Sequence, residues 1–183
     1  MRKLTFATNL SLDGCCDHSK LGGDEQVLEY FTHLMREVDL HIYGRTTYQL
    51  MVPYWPEVAK DPAMPKAATA FARAFEAIPR VVFSRTLESA DENTRIVGGG
   101  LRDEVLQLKQ APGKNMMTGG VSLPSQLVEL GLVDEYRILL HPAVVGEGRR
   151  LFDKVSLREK SKLKLVEATT FPSGIIALHY SKP

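Results

Sequence analysis

The spacing of apolar residues along the chain alternates between the two-residue period of a β-strand and the 3.6-residue period of an α-helix. In the first half this alternation predicts strands at residues 3–9 and 40–43. Asp24 is expected to cap the N-terminus of a helix that carries one apolar stripe. An irregular Pro-rich connection is predicted at residues 53–65, and an Ala-rich helix at residues 66–77.

The second half continues this alternation and then changes to strands alone. The predicted strands are residues 80–84, 95–97, 115–118, 135–141, 163–171 and 175–180, and the predicted helices are residues 103–110 and 123–130. A Pro-Ser-Gly turn at residues 172–174 joins the last two strands as a hairpin. This order predicts an α/β fold with a mostly parallel central sheet, helices on both faces and a C-terminal antiparallel hairpin. The strand order does not follow from the pattern.

Composition and charge restrict the class of protein. A chain of 183 residues, 44% of them hydrophobic, suits one domain over residues 1–183 and is too apolar to be disordered. No apolar run approaches the ~20 residues of a membrane-spanning helix, and the first residues lack the apolar segment of a signal peptide. A formal net charge of +1 gives no general attraction for nucleic acid or an anionic membrane. We therefore expect a soluble cytoplasmic protein that binds neither.

The two cysteines, Cys15 and Cys16, are adjacent. A disulfide between neighbours closes a strained ring, so a secreted disulfide framework is excluded. With His18 the pair would offer three zinc ligands, but the other histidines provide no fourth ligand at a matching spacing. We expect two free thiols in a loop and no metal site.

Three predicted strand ends carry residues suited to phosphate groups, and sheets of this kind bind ligands at the carboxyl ends of their strands. Arginine offers a phosphate two charge-assisted hydrogen bonds, and glycine removes the Cβ that would keep a pyrophosphate away from the backbone. Each motif alone also suits an ordinary turn or capped helix, whereas their combination indicates a nucleotide site. The three motifs are Gly44-Arg45-Thr46-Thr47, Ser84-Arg85-Thr86 and Thr118-Gly119-Gly120-Val121-Ser122.

The common nucleotide fingerprints do not occur in the sequence. Residues 98–103 do not match G-x-G-x-x-G, and the chain contains no G-x-x-x-x-G-K-[ST] motif. A Rossmann fingerprint and a P-loop are therefore both excluded.

These motifs occur in the order seen in the dihydrofolate reductase-like superfamily. Ser11-Leu12-Asp13-Gly14 comes first, followed by the three strand-end motifs, of which the first continues to Tyr48. Three further segments make the resemblance specific to one family within it: residues 130–137, the His141-Pro142 pair and residues 146–152. The chain resembles the reductase domain that forms the C-terminal half of the bifunctional riboflavin-biosynthesis deaminase–reductase, and its stand-alone relatives. The likeness covers nearly the whole chain.

The resemblance implies a NADPH-dependent reductase whose cofactor lies across the carboxyl edge of the sheet. It assigns the pyrophosphate side to Gly44, Arg45 and Thr46, with Thr47 as a further hydroxyl, and the adenosine 2′-phosphate to Ser84, Arg85 and Thr86. It assigns the diphosphate and the nicotinamide ribose to Gly119, Gly120, Val121, Ser122 and Leu123. A strained Gly119–Gly120 peptide is expected, with the cis form as one candidate.

The resemblance also places the loop at residues 11–14 over the nicotinamide, with Asp13 as the catalytic residue. Asp13 would bind substrate hydroxyls or assist proton delivery, and a plain turn aspartate before Gly14 is the alternative. Trp55, the only tryptophan, is expected to pack within the Pro-rich connection rather than to close the site.

The implied activity is reduction of a small polar substrate, similar to that of 5-amino-6-(5-phosphoribosylamino)uracil reductase in riboflavin biosynthesis. Met117 stands where relatives can carry an acidic substrate-contacting residue, so two alternatives stay open. One is reduction of a pterin, as in dihydrofolate reductases, and the other is a catalytically inactive nucleotide-binding dimer. A homodimer is expected from the superfamily.

Overall fold

The computed structural model describes residues 1–153, 155–156 and 161–183, and over these residues eight strands form one sheet. The strands are β1 (Leu4–Ser11), β2 (Val38–Gly44), β3 (Arg80–Phe83), β4 (Thr94–Val97), β5 (Asn115–Thr118), β6 (Glu135–His141), β7 (Lys164–Thr170) and β8 (Ile176–Ser181). The helices in the same residues are α1 (Glu25–Arg36), α2 (Arg45–Met51), α3 (Trp55–Lys60), α4 (Lys66–Glu76), α5 (Leu101–Gln110) and α6 (Ser122–Glu129). None of these helices is long and apolar enough to cross a membrane.

The strand order is β4-β3-β2-β5-β1-β6-β8-β7. Pairing is parallel from β4 to β6 and antiparallel between β6, β8 and β7. This confirms the predicted α/β fold, a mostly parallel sheet with a C-terminal antiparallel hairpin. In β1, Phe6 lies opposite Thr118 of β5 on one side and Tyr136 of β6 on the other. Phe6 is fully buried, because its side chain packs in the apolar cluster on one face of the sheet.

Alternate residues of the central strands face two separate apolar cores, as the two-residue period of a strand requires. On one face Phe6 and Met116 pack with Leu127 of α6. On the other face Ala7 and Met117 join the cluster that includes residues of α1 and α4. The helices therefore cover both faces of the sheet, as predicted.

Two helix ends follow the chemistry expected from the sequence. Asp24 caps α1, because its Oδ1 accepts a 2.9 Å hydrogen bond from the backbone N–H of Val27. Beyond the C-terminal end of α6, Gly131 has φ +70°, the left-handed conformation with which helices commonly end.

The Pro-rich connection differs from its prediction. It was expected to be irregular, but it contains α3, with Pro56 in the first turn. Proline at this position lacks only an N–H that the helix would leave unpaired, and its fixed φ suits the helix. The prolines therefore start a short helix here instead of preventing one.

The strand order places the carboxyl ends of β4, β3, β2, β5 and β1 side by side at one edge of the sheet. Strands lie about 4.8 Å apart, so these five ends span roughly 19 Å. That edge is where parallel sheets of this kind bind their ligands.

Candidate functional site

A cavity of about 1500 Å³ lies along this carboxyl edge. Its volume exceeds the roughly 300–1,000 Å³ of a pocket for one small molecule, so it has room for a large ligand and a second one. The three strand ends selected from the sequence face this one space. The predicted cofactor-site residues in its lining are Gly44, Arg45, Thr46, Thr47, Ser84, Arg85, Gly119, Gly120, Val121, Ser122 and Leu123.

Gly120 and Thr47 bring the end of β5 against the start of α2. Gly120 has φ +88°, and a Cβ added there would overlap Thr47 Oγ1. A Cβ on Gly119 would lie 3.5 Å from the carbonyl oxygen of Ala7. Glycine at position 120 is therefore required both for the backbone angle and for the contact with Thr47.

The Gly119–Gly120 peptide is trans, and the described residues contain no cis peptide bond. The cis form considered from the resemblance is therefore wrong. The chain turns at this point through the positive φ of Gly120, which needs no change at the preceding peptide bond.

The loop after β3 is closed by Ser84. Its Oγ accepts hydrogen bonds from the backbone N–H groups of Thr86 (3.1 Å) and Leu87 (2.9 Å). Arg45, at the start of α2, donates from Nη1 to Thr86 Oγ1 at 2.7 Å. Thr86 thus connects the motif after β3 with the motif at the start of α2. Thr86 itself does not line the cavity. Arg85, between Ser84 and Thr86, is exposed and lines the cavity, and a guanidinium in that position suits a phosphate monoester.

Arg149, which the sequence analysis did not select, reaches the start of α6. Its Nη2 donates a 2.6 Å hydrogen bond to Ser122 Oγ, and Arg149 lines the cavity. The first N–H groups of a helix have no intrahelical partner and carry partial positive charge. Arg149 adds a full charge beside them, which suits a diphosphate. The sequence holds no local signal for this contact, because only the fold brings the two residues together.

Three consecutive glycines after β4 also line the cavity: Gly98, Gly99 and Gly100. A Cβ added to any of them would meet nothing within 4 Å, so this backbone faces unfilled space. The segment does not match a Rossmann fingerprint, and no ligand site was predicted there from the sequence. Its position between a strand and a helix, which it shares with the motifs after β2 and β5, is the signal that could have found it.

Asp13 lies outside the cavity lining of the described chain, and its carboxylate joins two loops. Oδ1 accepts hydrogen bonds from the Ser11 hydroxyl (2.7 Å) and the Val145 N–H (3.1 Å), and Oδ2 accepts one from the Gly146 N–H (2.9 Å). These bonds, that of Ser11 first, hold the pKa of Asp13 well below its usual range. An ionised carboxylate has no proton to donate at neutral pH. The catalytic role of Asp13 stays a prediction, and the geometry gives it a structural role as well.

The same N-terminal loop reaches the cavity slightly further along, at Cys16, Asp17, His18 and Leu21. Cys15 is buried, Cys16 is half-buried, and both are free thiols. Burial raises the pKa of the Cys16 thiol, which keeps it in the protonated and less nucleophilic form.

Helices α1, α3 and α4 give the cavity an apolar wall, opposite the strand-end motifs. Trp55 packs against Phe71, with ring centroids 4.3 Å apart. Trp55 is therefore packed as predicted, here against α4, but its ring also lines the cavity, so packing and a place at the site are combined. The apolar residues of this wall and of the sheet beneath it are Val27, Leu28, Phe31, Met35, Met51, Trp55, Phe71 and Met117.

A polar cluster holds α2 against the sheet. The Tyr48 hydroxyl donates to Asp91 Oδ2 at 2.9 Å and accepts a 3.1 Å hydrogen bond from the Asp91 N–H. Arg80 Nη1 lies 3.7 Å from Asp91 Oδ1, and its guanidinium carbon lies 4.8 Å from the centre of the Phe75 ring. This cluster fixes α2, and with it Arg45, relative to the end of β3.

His41 lies beneath this cluster and is completely buried. Its ring is 5.2 Å from that of Tyr43 and 5.6 Å from that of Phe75, centre to centre. Burial first, and then the nearby positive charge of Arg80, lower its pKa to about 3. His41 is therefore a neutral core residue at physiological pH.

The amino-acid sequence matches a known protein family. The model of the RibD C-terminal domain family matches residues 2–177. The "uncharacterized protein YyaP" of Bacillus subtilis strain 168 is 34% identical over 151 residues, which cover 82% of this chain and 77% of YyaP. Both are matches between amino-acid sequences.

Solved structures show the same fold. A Shewanella sp. PV-4 protein, whose part in riboflavin biosynthesis is itself only proposed, superposes with a TM-score of 0.74 at 20% identity over 100% of this chain and 99% of the other. Dihydrofolate reductase from Enterococcus faecalis, in complex with NADP(H), superposes with a TM-score of 0.67 at 13% identity over 98% and 96%. The fold is therefore dihydrofolate reductase-like.

Proposed function

The chain belongs to the RibD C-terminal domain family, and from this premise we propose that it is a NADPH-dependent reductase of a small organic substrate. The observation that carries the proposal is the convergence of four glycine- or arginine-bearing strand ends on one cavity. The structural likeness to a reductase in complex with NADP(H) supports the same cofactor.

The residues around the cavity fit an extended dinucleotide. Residue 120 has no side chain, and a Cβ there would overlap Thr47. The backbone of this turn is therefore open to the cofactor. Arg45 and Arg149 provide positive charge near the starts of α2 and α6, where a pyrophosphate would lie. Arg85, at the end of β3, is the cation proposed for the 2′-phosphate that distinguishes NADPH from NADH.

The strand order supports one direction of the cofactor along the sheet edge, with the adenosine at β4 and the nicotinamide towards β1. The ends of β4 and β3 would hold the adenosine, and those of β2 and β5 the pyrophosphate. The nicotinamide ribose would lie against Val121, Ser122 and Leu123, close to β1. The remaining proposed contacts are those of Gly44, Thr46, Thr47, Ser84, Thr86, Gly119 and Gly120. A bound NADPH supplies a hydride, which with one proton reduces one double bond of the substrate and leaves NADP⁺.

Asp13 is proposed to support the reaction by holding two loops, at residues 11–14 and 145–146, beside the nicotinamide end of the cofactor. Its carboxylate is ionised and already accepts three hydrogen bonds, so water is the simpler source of the proton. Asp13 contributes to catalysis in this proposal through the position of the loop and its negative charge.

Energy transfer from Trp55 tests the proposal directly. Trp55 is the only tryptophan and lines the cavity, so bound NADPH should quench its emission and gain sensitised nicotinamide emission. The Trp55→Phe variant should lose this signal while calorimetry still detects binding. Absence of NADPH binding at millimolar concentration in both measurements would contradict the proposed function.

We also propose that the protein forms a homodimer through β7. This edge strand is exposed throughout, and Leu165 and Val166 are 50% and 53% exposed. The register shift between Leu165 and Glu167 and the charges of Lys164 and Glu167 oppose pairing through the open edge of this strand, so the proposed contact is made by its exposed apolar side chains. Sedimentation of the wild type as a dimer and of Val166→Lys as a monomer would support this arrangement.

A further inference from the structure

The cavity divides into two parts of different chemistry. One part is bounded by the strand-end motifs, and we assign it to the cofactor. The other part lies under α1, α3 and α4, and we call it the apolar chamber. Its main lining residues are Leu28, Phe31, Met35, Trp55, Phe71 and Met117.

Positive charge in the described lining is confined to the cofactor part. The cavity contains three arginines within the described residues: Arg45, Arg85 and Arg149. Arg45 is hydrogen-bonded to Thr86, and Arg149 to Ser122, so both are directed towards strand-end motifs. The chamber-lining residues that the structure describes include no lysine or arginine. A phosphate group placed in the chamber would lose water without gaining a cation, which is costly.

The single carboxylate in the described lining is that of Asp17. Hydrogen bonds from the backbone N–H and the hydroxyl of Ser19 lower its pKa, so it carries a negative charge at neutral pH. Asp17 lies beside residue 148, next to Arg149, so its charge is in the cofactor part and provides no positive partner for a ligand in the chamber. The chamber therefore offers a phosphorylated substrate no attraction.

The chamber has apolar surface that only an apolar ligand would bury. Leu28, Phe31 and Trp55 are half-buried, and at its mouth Leu50 and Tyr54 are 48% and 54% exposed. Apolar surface gathered in a concave site is typical of ligand binding rather than of ordinary protein surface. The aromatic rings of the wall favour stacking with a flat ligand.

Resting on the proposed function, we propose that the reductase acts on a neutral, planar and largely apolar substrate. The two electrons and one hydrogen of the hydride add to one atom of a polarised double bond, and a proton from water adds to the other. This departs from the phosphoribosylated substrate that the sequence resemblance implies, because the chamber provides no site for its phosphate among the described residues.

Two probes that share one aromatic ring system and differ by a phosphate group test this inference. Calorimetry at pH 7 compares 2-naphthol with 2-naphthyl phosphate, each titrated into protein saturated with NADP⁺ so that the phosphate sites are occupied. We expect 2-naphthol to bind at least about tenfold more tightly than the phosphate. In the Leu28→Arg variant the preference should reverse, whereas Glu29→Arg, exposed on α1 and outside the cavity lining, should keep the wild-type preference. Affinity for NADP⁺ should be the same in all three proteins.

The outcomes separate the two proposals. Failure of NADP⁺ itself to bind overturns the proposed function. Normal NADP⁺ binding with equal or tighter binding of 2-naphthyl phosphate, or with no binding of either probe at millimolar concentration, overturns the present inference alone. Tight 2-naphthol binding that Leu28→Arg abolishes supports it.

Discussion

The hydroxyl of Thr47 occupies the place where a Cβ on residue 120 would stand. Through this contact the start of α2 closes against the turn between β5 and α6, and the two segments form one surface of the cavity. The contact depends on glycine at position 120, whose φ of +88° is also unfavourable for any other residue.

Substitution of this glycine should separate stability from binding. Gly120→Ala should lower the free energy of unfolding by roughly 1–3 kcal/mol and weaken NADPH at least about tenfold, because Thr47 must move. Gly131→Ala is the matched control: it has φ +70°, but a Cβ there meets nothing within 4 Å. It should lose stability and keep its affinity. Urea unfolding and calorimetry measure the two quantities, and wild-type affinity in Gly120→Ala would contradict the assignment of this turn.

Asp13→Asn should weaken the connection between the loop at residues 11–14 and that at residues 145–146. In the variant, the NH2 group of asparagine replaces a carboxylate oxygen that accepts a hydrogen bond from a backbone N–H. Two donors would then face each other, so the variant should melt at a lower temperature at pH 7. Because folding lowers the pKa of Asp13, its contribution is complete above the ordinary value of 3.8 and is lost as the pH falls below it. The difference in melting temperature should therefore shrink in acid.

Asp61→Asn is the control for this prediction, since Asp61 accepts one hydrogen bond, from the Ala63 N–H, in an exposed turn. It should melt close to the wild type. An Asp13→Asn protein with unchanged melting temperature, unchanged KM and greatly reduced kcat would contradict the structural role and leave only a role of the carboxylate in the reaction itself.

His41 should make the folded state sensitive to acid. Its pKa is about 3 when buried against an ordinary value of 6.5, so between these values the unfolded chain binds a proton that the folded chain does not. Stability should then fall as the pH falls through this window, by up to about 1.4 kcal/mol per pH unit. His41→Phe keeps an aromatic ring in the core and should show a shallower dependence. Urea unfolding at pH 7, 6 and 5 measures it, and equal slopes would exclude this role.

Much of the fold follows from the sequence because periodicity and end signals act locally. Asp24 and Gly131 could be identified as helix-end residues without any tertiary information. The helix inside the Pro-rich connection was missed, because a proline breaks a helix interior but favours a first turn. Strand order could not be predicted, since it depends on packing between distant segments.

The candidate site shows the same division. Arg85 and the glycine pair follow strands directly, so their place at the carboxyl edge could be predicted from the chain alone. Arg149 could not, since it reaches Ser122 only through the path of the loop after β6. Two of the three hydrogen bonds of Asp13, those from Val145 and Gly146, likewise depend on that loop, which is why its structural role was not apparent.

The most direct test of the account is calorimetric titration of the wild type and of Arg85→Ala with NADPH and with NADH. Arg73→Ala, an exposed arginine of α4 outside the cavity lining, is the control. We predict that the wild type binds NADPH more tightly than NADH, that Arg85→Ala loses most of this difference, and that Arg73→Ala retains it. No binding of either nucleotide to the wild type would contradict the central claim that this edge of the sheet is a dinucleotide site.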